Sequence, residues 1–413
     1  MHPHSPLPAN NRQFFLDWVR IIAFFVLILY HVGMVYVSWD YHVKSSVAVT
    51  AIEPLMQMSA PWRLGLLFLI SGAACGWMLQ KSGPGRFVRQ RSVRLLPPLL
   101  FGMALIVPPQ AYVEVVEKLG YQGSFLAFMK LYYHAYHGFC KDGHCLDLPT
   151  WNHLWFVAYL WVYALVLAAI VWLAGKRFAQ WSQKMADLLQ GWKIIILPVL
   201  VLGVARILLF SQFPQTHDLV RDWYNHAQYG FLFVLGALLA ARPRFWQQLD
   251  DVRWFSLGTA FGCWAALVVY YHLPDNAIAP AQVEFWRHLQ RMVYALLQWC
   301  ATGAACGFAH RHLQFDSAKR RYLAEAVFPV YILHQTLIVV LEHFIKRCKL
   351  EQGMEAFVLI VLTLTLSFGC FELVRRVRVL RPLFGLAPVP RAASSTSSPP
   401  FEKGGQGGFA VKV

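Results

Sequence analysis

The chain has 413 residues, of which 57% are hydrophobic and only 14% carry a formal charge. This composition excludes an ordinary soluble globular domain and is typical of a polytopic membrane protein. The formal net charge of +16 would indicate nucleic-acid binding in a soluble protein. Here most lysines and arginines fall in alternate connecting segments, as the positive-inside rule requires when both termini are cytoplasmic. We therefore predict no nucleic-acid partner.

Windows of about 20 apolar residues, the length that spans a bilayer, occur ten times. They predict an all-α fold, a polytopic integral membrane helical bundle of about ten transmembrane helices. Prolines at both ends make the third window a poorer candidate for a membrane helix, and the sixth window is short. The predicted segments are Phe14–Val37, Pro61–Leu79, Leu95–Val113, Leu154–Leu173, Ile194–Phe210, Tyr229–Ala241, Phe255–His272, Val293–Ala309, Ala324–Phe344 and Met354–Leu373.

The first predicted segment carries charges where a membrane helix should be apolar, namely Asp17, Arg20 and His31. At 100° per residue, the step from Arg20 to His31 leaves about 20° between them around the helix axis, and the step from Asp17 leaves about 40°. The acid and the guanidinium share a stripe near one membrane surface, with the imidazole about 16 Å further along. Buried ionisable groups are costly in a bilayer and mark functional paths, so this stripe is the first candidate site.

A basic cytoplasmic loop, residues 83–94, leads into the third predicted helix. Arg91 and Arg94 lie three residues apart, which places them on one helix face. Two adjacent guanidiniums form a bidentate phosphate clamp that lysine cannot imitate, and a phosphate-bearing ligand such as coenzyme A suits it. The alternative is an anchor that contacts anionic membrane lipid headgroups.

The longest external loop extends from about Pro108 to Trp151. Residues 121–139 are rich in tyrosine, phenylalanine and leucine, which predicts an interfacial helix. Cys140 and Cys145 follow, and an oxidising periplasm allows a disulfide between them. Nearby histidines also permit a metal site, and a plain loop is the third interpretation; we expect no metal.

Two later helices contain further candidates. His153 and Trp155 open the fourth helix, and although an aromatic belt explains the tryptophan, aromatic faces beside hydrogen-bonding groups also suit sugar rings. The ninth helix contains Tyr331 and His334 three residues apart, after a proline whose freed backbone carbonyl needs a partner. For each histidine, the alternative interpretation is a purely structural hydrogen bond. Arg206 and Glu372 are charges that need partners within the bundle, and after Leu386 the chain is rich in proline, serine and glycine, which is typical of disorder.

Taken together, these motifs resemble the membrane acyltransferase 3 superfamily, and most closely its glucan biosynthesis protein C branch, which O-succinylates osmoregulated periplasmic glucans. The resemblance covers residues 12 to about 385. It departs from the family pattern at Leu67 and Ala73, where the family commonly has aromatic residues. The matching motifs are Leu16-Asp17-x-x-Arg20 with His31 eleven residues later, Phe68-Leu-Ile-Ser71-Gly72, Arg91-x-x-Arg94, His153-Leu-Trp155-Phe156, Tyr331-Ile-Leu-His334 and Phe371-Glu372.

The resemblance implies an O-acyltransferase of the bacterial inner membrane. It implies a transmembrane domain over residues 12–386, between a short cytoplasmic tail of residues 1–11 and a disordered cytoplasmic tail of residues 387–413. No tightly bound cofactor is expected. The donor would be cytoplasmic acyl-CoA, either succinyl-CoA or acetyl-CoA, and the acceptor a hydroxyl of periplasmic glucan or of another polysaccharide.

The resemblance also implies residue roles. His31 would be the general base or a transient acyl carrier, with Arg20 at the thioester and Asp17 orienting Arg20. Donor contacts would come from Arg91, Arg94, Ser71 and Gly72, and acceptor contacts from His153, Trp155, Tyr331, His334 and Glu372. Arg63, Arg206 and Arg291 are equal candidates for a succinyl carboxylate. A glycan transporter or flippase and a non-catalytic glucan-assembly partner are the alternative functions.

Overall fold

The structure of the protein is a computed structural model that describes residues 13–141, 143–274 and 276–388. The predicted N-terminal tail and nearly all of the predicted C-terminal tail lie outside these residues. A single short antiparallel hairpin in the described part pairs β1, Cys140–Lys141, with β2, His144–Cys145. The helices are α1 Phe14–Tyr36, α2 Glu53–Ser59, α3 Arg63–Ser82, α4 Pro84–Phe101, α5 Pro108–Leu119, α6 Phe125–Tyr133, α7 Trp155–Ala174, α8 Arg177–Leu188, α9 Lys193–Leu209, α10 Trp223–Asn225, α11 Phe231–Leu239, α12 Pro243–Asp251, α13 Arg253–Tyr271, α14 Val283–His312, α15 Ala318–Ile345, α16 Gln352–Arg376 and α17 Leu380–Leu383.

The all-α polytopic bundle is confirmed. Among the described residues, 8 helices are long and apolar enough to cross a membrane, and α8 with α9 would add a ninth as a pair bent by 108°. These helices are consistent with the predicted bundle of about ten spans. The sixth predicted segment, Tyr229–Ala241, falls on α11, which is too short to count alone.

The predicted loop of residues 83–94 is instead almost entirely the first half of α4. Pro84 occupies the first helical turn, where its missing N–H costs nothing. Pro97 and Pro98 lie inside the helix, and a π-helical turn, Gly102–Ile106, follows them. Such a turn shifts the hydrogen-bond register and helps to satisfy carbonyls that proline releases. The proline-rich third segment is thus part of one long helical stretch.

The external loop contains the predicted interfacial helix as α6. Tyr132 at its end is fully buried, and its hydroxyl lies 2.8 Å from the carbonyl oxygen of Met103. Burial raises the pKa of this tyrosine. Cys140 and Cys145 form a disulfide across the β-hairpin, which decides between the three interpretations of that pair. The loop is therefore fastened to the bundle at its helix and closed by a covalent bond at its hairpin.

Small residues bring α3 and α11 into backbone contact. A Cβ atom at Gly72 would collide with the backbone carbonyl of Phe233, one at Gly76 with that of Ala237, and one at Gly236 with that of Leu69. Small residues spaced along a membrane helix allow this close approach. Gly72 therefore has a packing role, and its predicted contact with the donor stays a prediction.

Gly72→Ala is expected to destabilise the protein by about 2 kcal/mol, the usual cost of overpacking a close contact. Gly258→Ala is the matched control, because a Cβ at this other helical glycine meets open space. The thermal midpoint of the detergent-solubilised protein measures both. An unchanged midpoint for Gly72→Ala together with a raised KM for the donor would restore the predicted binding role.

Candidate active site

A cavity of about 310 Å³ opens beside the second half of α1. This helix contacts α3, α14, α15 and α16, so a residue on α1 faces several other helices at once. Four of the predicted site residues line the cavity: His31, His153, Trp155 and Tyr331. The structure therefore gathers residues from distant parts of the chain into one site.

His31 is held by His334, which is fully buried behind it on α15. Nδ1 of His31 is 2.8 Å from Nε2 of His334, and Nδ1 of His334 is 2.6 Å from the carbonyl oxygen of Tyr331. Since a carbonyl can only accept, Nδ1 carries the hydrogen in neutral His334 and its Nε2 is the acceptor. His31 must then donate from Nδ1. Its Nε2 keeps an available lone pair, which is the requirement for a general base.

His153 is fixed from both sides of its ring. Its Nε2 donates to the carbonyl oxygen of Ile332 at 3.1 Å, so its Nδ1 is the acceptor and lies 3.4 Å from the amide nitrogen of Gln110. The Tyr331 hydroxyl donates to the backbone carbonyl of His153. Although His153 lines the cavity, both of its ring nitrogens are already engaged. Only its ring face is left to meet a molecule in the cavity, so the predicted acceptor contact would be made through the ring.

Two glutamine side chains connect this cavity by hydrogen bonds to a second cavity, here called the outer cleft. Gln335 donates to Gln110 at 3.2 Å and to Nε2 of His42 at 3.0 Å, and Nδ1 of His42 is 2.6 Å from a carboxylate oxygen of Glu114. His42 lines the outer cleft, a cavity of about 550 Å³, together with Glu114 and Lys118. Sequence reasoning missed these residues. The available signal was a glutamine inside a predicted membrane segment, at Gln110 and again at Gln335.

His217 forms one wall of the mouth of the first cavity. Its ring stacks on Trp155 with 4.1 Å between ring centres, and burial lowers the pKa of His217. The residue comes from the loop after α9, which contains no recognisable motif. A flat aromatic pair at a cavity mouth offers the face that a sugar ring packs against.

Asp17 and Arg20 lie at the opposite end of α1. Arg20 hydrogen-bonds Asp17 at 3.3 Å and the carbonyl oxygen of Ala324 at 3.3 Å, a contact consistent with the orienting role that stays a prediction for Asp17. Asp17 also pairs with Arg320, which sequence reasoning missed. Arg320 in turn hydrogen-bonds Asp316, and this hydrogen bond lowers the pKa of Asp316. The acid therefore joins α1 to the start of α15.

The arginine pair on α4 lies near Arg20. Arg91 is buried, Arg94 is exposed, and Arg94 interacts electrostatically with Arg91 and Arg20. Three guanidiniums therefore gather at one end of the bundle, a natural place for a polyanionic ligand. The uninterrupted α1 keeps Arg20 about 16 Å from His31, so this arginine cluster and the cavity are separate parts of the molecule.

Three further predicted site residues, Ser71, Gly72 and Glu372, do not reach the cavity. Ser71 and Gly72 are absent from the residues that line it in the described part. Glu372 pairs with Arg375 at 3.1 Å and Arg376 at 3.2 Å near the end of α16, and Tyr322 is its neighbour on α15. Twelve residues of helix, about 18 Å, separate Tyr322 from His334. Glu372 thus lies at the arginine end and not at the predicted acceptor site.

A family model described as an acyltransferase domain, that of the acyltransferase 3 family, matches residues 13–372. The chain belongs to this family. Glucans biosynthesis protein C of Salmonella typhimurium is 23% identical over 406 residues, which cover 95% of this chain and 99% of that protein. The protein of the same name from Escherichia coli K12 is 22% identical over 399 residues, with 93% and 97% covered. No solved structure matches the chain.

Family and fold together describe a multi-pass membrane acyltransferase. Membership of an acyltransferase family favours an enzyme over the two alternatives, a glycan transporter and a non-catalytic assembly partner. The family match covers both the arginine cluster and the residues of the histidine cavity. An acyltransferase needs a place for its donor and a base for its acceptor, and these two regions provide the matching chemistry.

Proposed function

We propose that this chain is an O-acyltransferase of the bacterial inner membrane. It moves a succinyl or acetyl group from cytoplasmic acyl-CoA to a hydroxyl of a periplasmic glycan, with periplasmic glucan as the first acceptor to test and other surface polysaccharides as the second. Both termini would face the cytoplasm. The observation that carries the proposal is the hydrogen-bond chain from the Tyr331 carbonyl through His334 to His31, because it leaves Nε2 of His31 ready to accept a proton.

In the proposed step, Nε2 of His31 takes the proton of the acceptor hydroxyl while the hydroxyl oxygen attacks the thioester carbonyl carbon. The new C–O ester bond forms and the C–S bond breaks. The departing CoA sulfur takes the proton from His31, which returns to its starting form. His31 acts here as a general base and later as a general acid.

The arginine cluster and the cavity would bind different parts of the donor. Arg91 and Arg94 would hold the phosphates of CoA at one end of the bundle. Because Arg20 lies beside them and about 16 Å from His31, we propose it as a further phosphate contact in place of the thioester role that the resemblance implies. The extended pantetheine arm would follow α1 toward His31 and deliver the thioester there. The acceptor would arrive from the other side, past the stacked Trp155 and His217 and the outer cleft beside His42.

Mass spectrometry of periplasmic glucans tests the proposed function. Cells that lack this protein would be compared with the same cells complemented by the wild type. We expect a mass increase of one acyl unit only with the wild type, and its size identifies the group as succinyl or acetyl. Unmodified glucan in both strains would reject the glucan acceptor and direct the same comparison to other surface polysaccharides.

Arg91→Gln combined with Arg94→Gln is expected to raise KM for acyl-CoA about 30-fold with little change in kcat. Phosphate contacts of this kind bind substrate and transition state alike. Steady-state kinetics in membrane vesicles measures both constants. The exposed Arg86 and Arg89 on the same segment give a matched control pair, Arg86→Gln with Arg89→Gln. Equal effects of the two pairs would favour the lipid-anchor interpretation.

A further inference from the structure

Arg63 is a buried charge inside the candidate active site. It begins α3, is 6% exposed, and lines the same cavity as His31. Its guanidinium lies flat over the Tyr30 ring, with 3.3 Å between Cζ and the ring centre. Within the described residues, Nε and Nη1 of this arginine are buried and have no hydrogen-bond partner. Charged groups in such positions are normally paired, since burying an unpaired charge is costly.

The cavity offers this guanidinium no countercharge. Its described lining is made of apolar residues, aromatics, hydroxyls, amides and four histidines, and contains no aspartate or glutamate. The histidines add positive charge whenever they are protonated. The cavity is therefore built for a ligand that carries a negative group.

Arg91 and Arg206 are also buried and each has an unpartnered Nε, but neither lines this cavity. Arg206 donates to the Tyr224 hydroxyl at 2.6 Å, and Arg291 donates to the carbonyl oxygen of Ile207 at 3.0 Å. Arg320 pairs with two aspartates. Only Arg63 combines a place in the cavity with unpartnered nitrogens among the described residues. The three arginines that are equal candidates by sequence are thus distinguished by their surroundings.

We propose that Arg63 forms an anion subsite that binds a carboxylate carried by the transferred acyl group. The donor would then be the CoA thioester of a dicarboxylic acid, for which succinyl is the group of suitable size. Cζ of Arg63 is 3.3 Å from the centre of the Tyr30 ring, and that ring is 6.2 Å from the His31 ring. Arg63 and His31 line the same cavity, so a four-carbon acyl chain would place its thioester carbonyl near His31 and its carboxylate at the guanidinium. This inference rests on the proposed function and adds the residue that would select the acyl group.

The first experiment compares succinyl-CoA with its monomethyl ester, which has the same chain without the charge. Equilibrium binding of each compound to the solubilised full-length protein needs no acceptor. We expect the wild type to bind succinyl-CoA about 100-fold more tightly, because a charge-assisted bidentate contact is lost in the ester. Arg63→Gln should remove this difference while leaving ester binding within about threefold of the wild type. Arg291→Gln is the matched control, a buried arginine outside the cavity, and should keep the preference.

Equal affinity of the wild type for the acid and the ester would overturn the subsite, and this result does not depend on whether any variant folds. The second readout is transfer from succinyl-CoA and acetyl-CoA to unmodified periplasmic glucan. If Arg63→Gln lowers transfer from both donors equally, Arg63 serves the reaction itself and not a carboxylate. Failure of the wild type to transfer either group to glucan, with the preference for the acid intact, would instead reject the glucan acceptor and leave the subsite supported.

Discussion

His31→Ala is expected to lower kcat for acyl transfer by about 1,000-fold, within the range for loss of a general base. The hydrogen-bond chain through His334 directs the hydrogen of His31 to Nδ1, so Nε2 is the atom that would accept the hydroxyl proton in the proposed step. Alanine provides no such atom. The measurement is the initial rate of acyl incorporation into glucan by membrane vesicles that contain equal amounts of each protein.

His288→Ala is the control for the general effect of losing a histidine. His288 lies near the start of α14, partly exposed beside Glu284, and its replacement should leave the rate unchanged. Donor binding should also persist in His31→Ala, because the arginine cluster lies at the other end of α1. Incorporation at the wild-type rate with His31→Ala would remove His31 from the mechanism.

His334→Ala is expected to lower kcat about 100-fold and to leave KM for donor and acceptor nearly unchanged. The His334 side chain is fully buried and stands behind His31, so it is a positioning residue. Without its acceptor nitrogen, Nδ1–H of His31 has no partner, and the opposite tautomer, which has no free lone pair on Nε2, gains population. Separate values of kcat and of KM for each substrate distinguish this effect from a loss of binding.

His334→Gln provides the conservative variant. Its side-chain oxygen can accept the hydrogen from Nδ1 of His31 and should recover kcat to within about tenfold of the wild type. A purely structural role would not respond to restoring one acceptor atom in this way. Raised KM for the acceptor with normal kcat in His334→Ala would support the original sequence prediction, which placed His334 among the substrate contacts.

The parts of the site that lie within one helix could be predicted from the sequence. The stripe of Asp17, Arg20 and His31 and the pair Arg91 and Arg94 depend only on the regular geometry of a helix, and the membrane environment makes such charges conspicuous. Apolar length likewise indicated a helical bundle. Apolar length indicates the number of spans less directly, since short or bent helices such as α9 and α11 fall below the length expected of a membrane span.

The contacts between helices could not be predicted from local patterns. The bond between His31 and His334, the amide chain through Gln110 and Gln335, and the stack of His217 on Trp155 depend on which helix faces meet. A single sequence does not show which helix faces are in contact. The sequence likewise does not show that Glu372, whose motif matches the family pattern, lies at the arginine end of the bundle.

The hydrogen bond between His31 and His334 joins residues 303 positions apart in the chain. Membrane proteins are made from the N-terminus onward, so α1 enters the membrane long before α15 has been synthesised. Until then His31 lacks the His334 partner that fixes its ring. On the proposed mechanism, catalytic competence would therefore arise only near the end of biogenesis, and products truncated before α15 would be inert toward acyl-CoA.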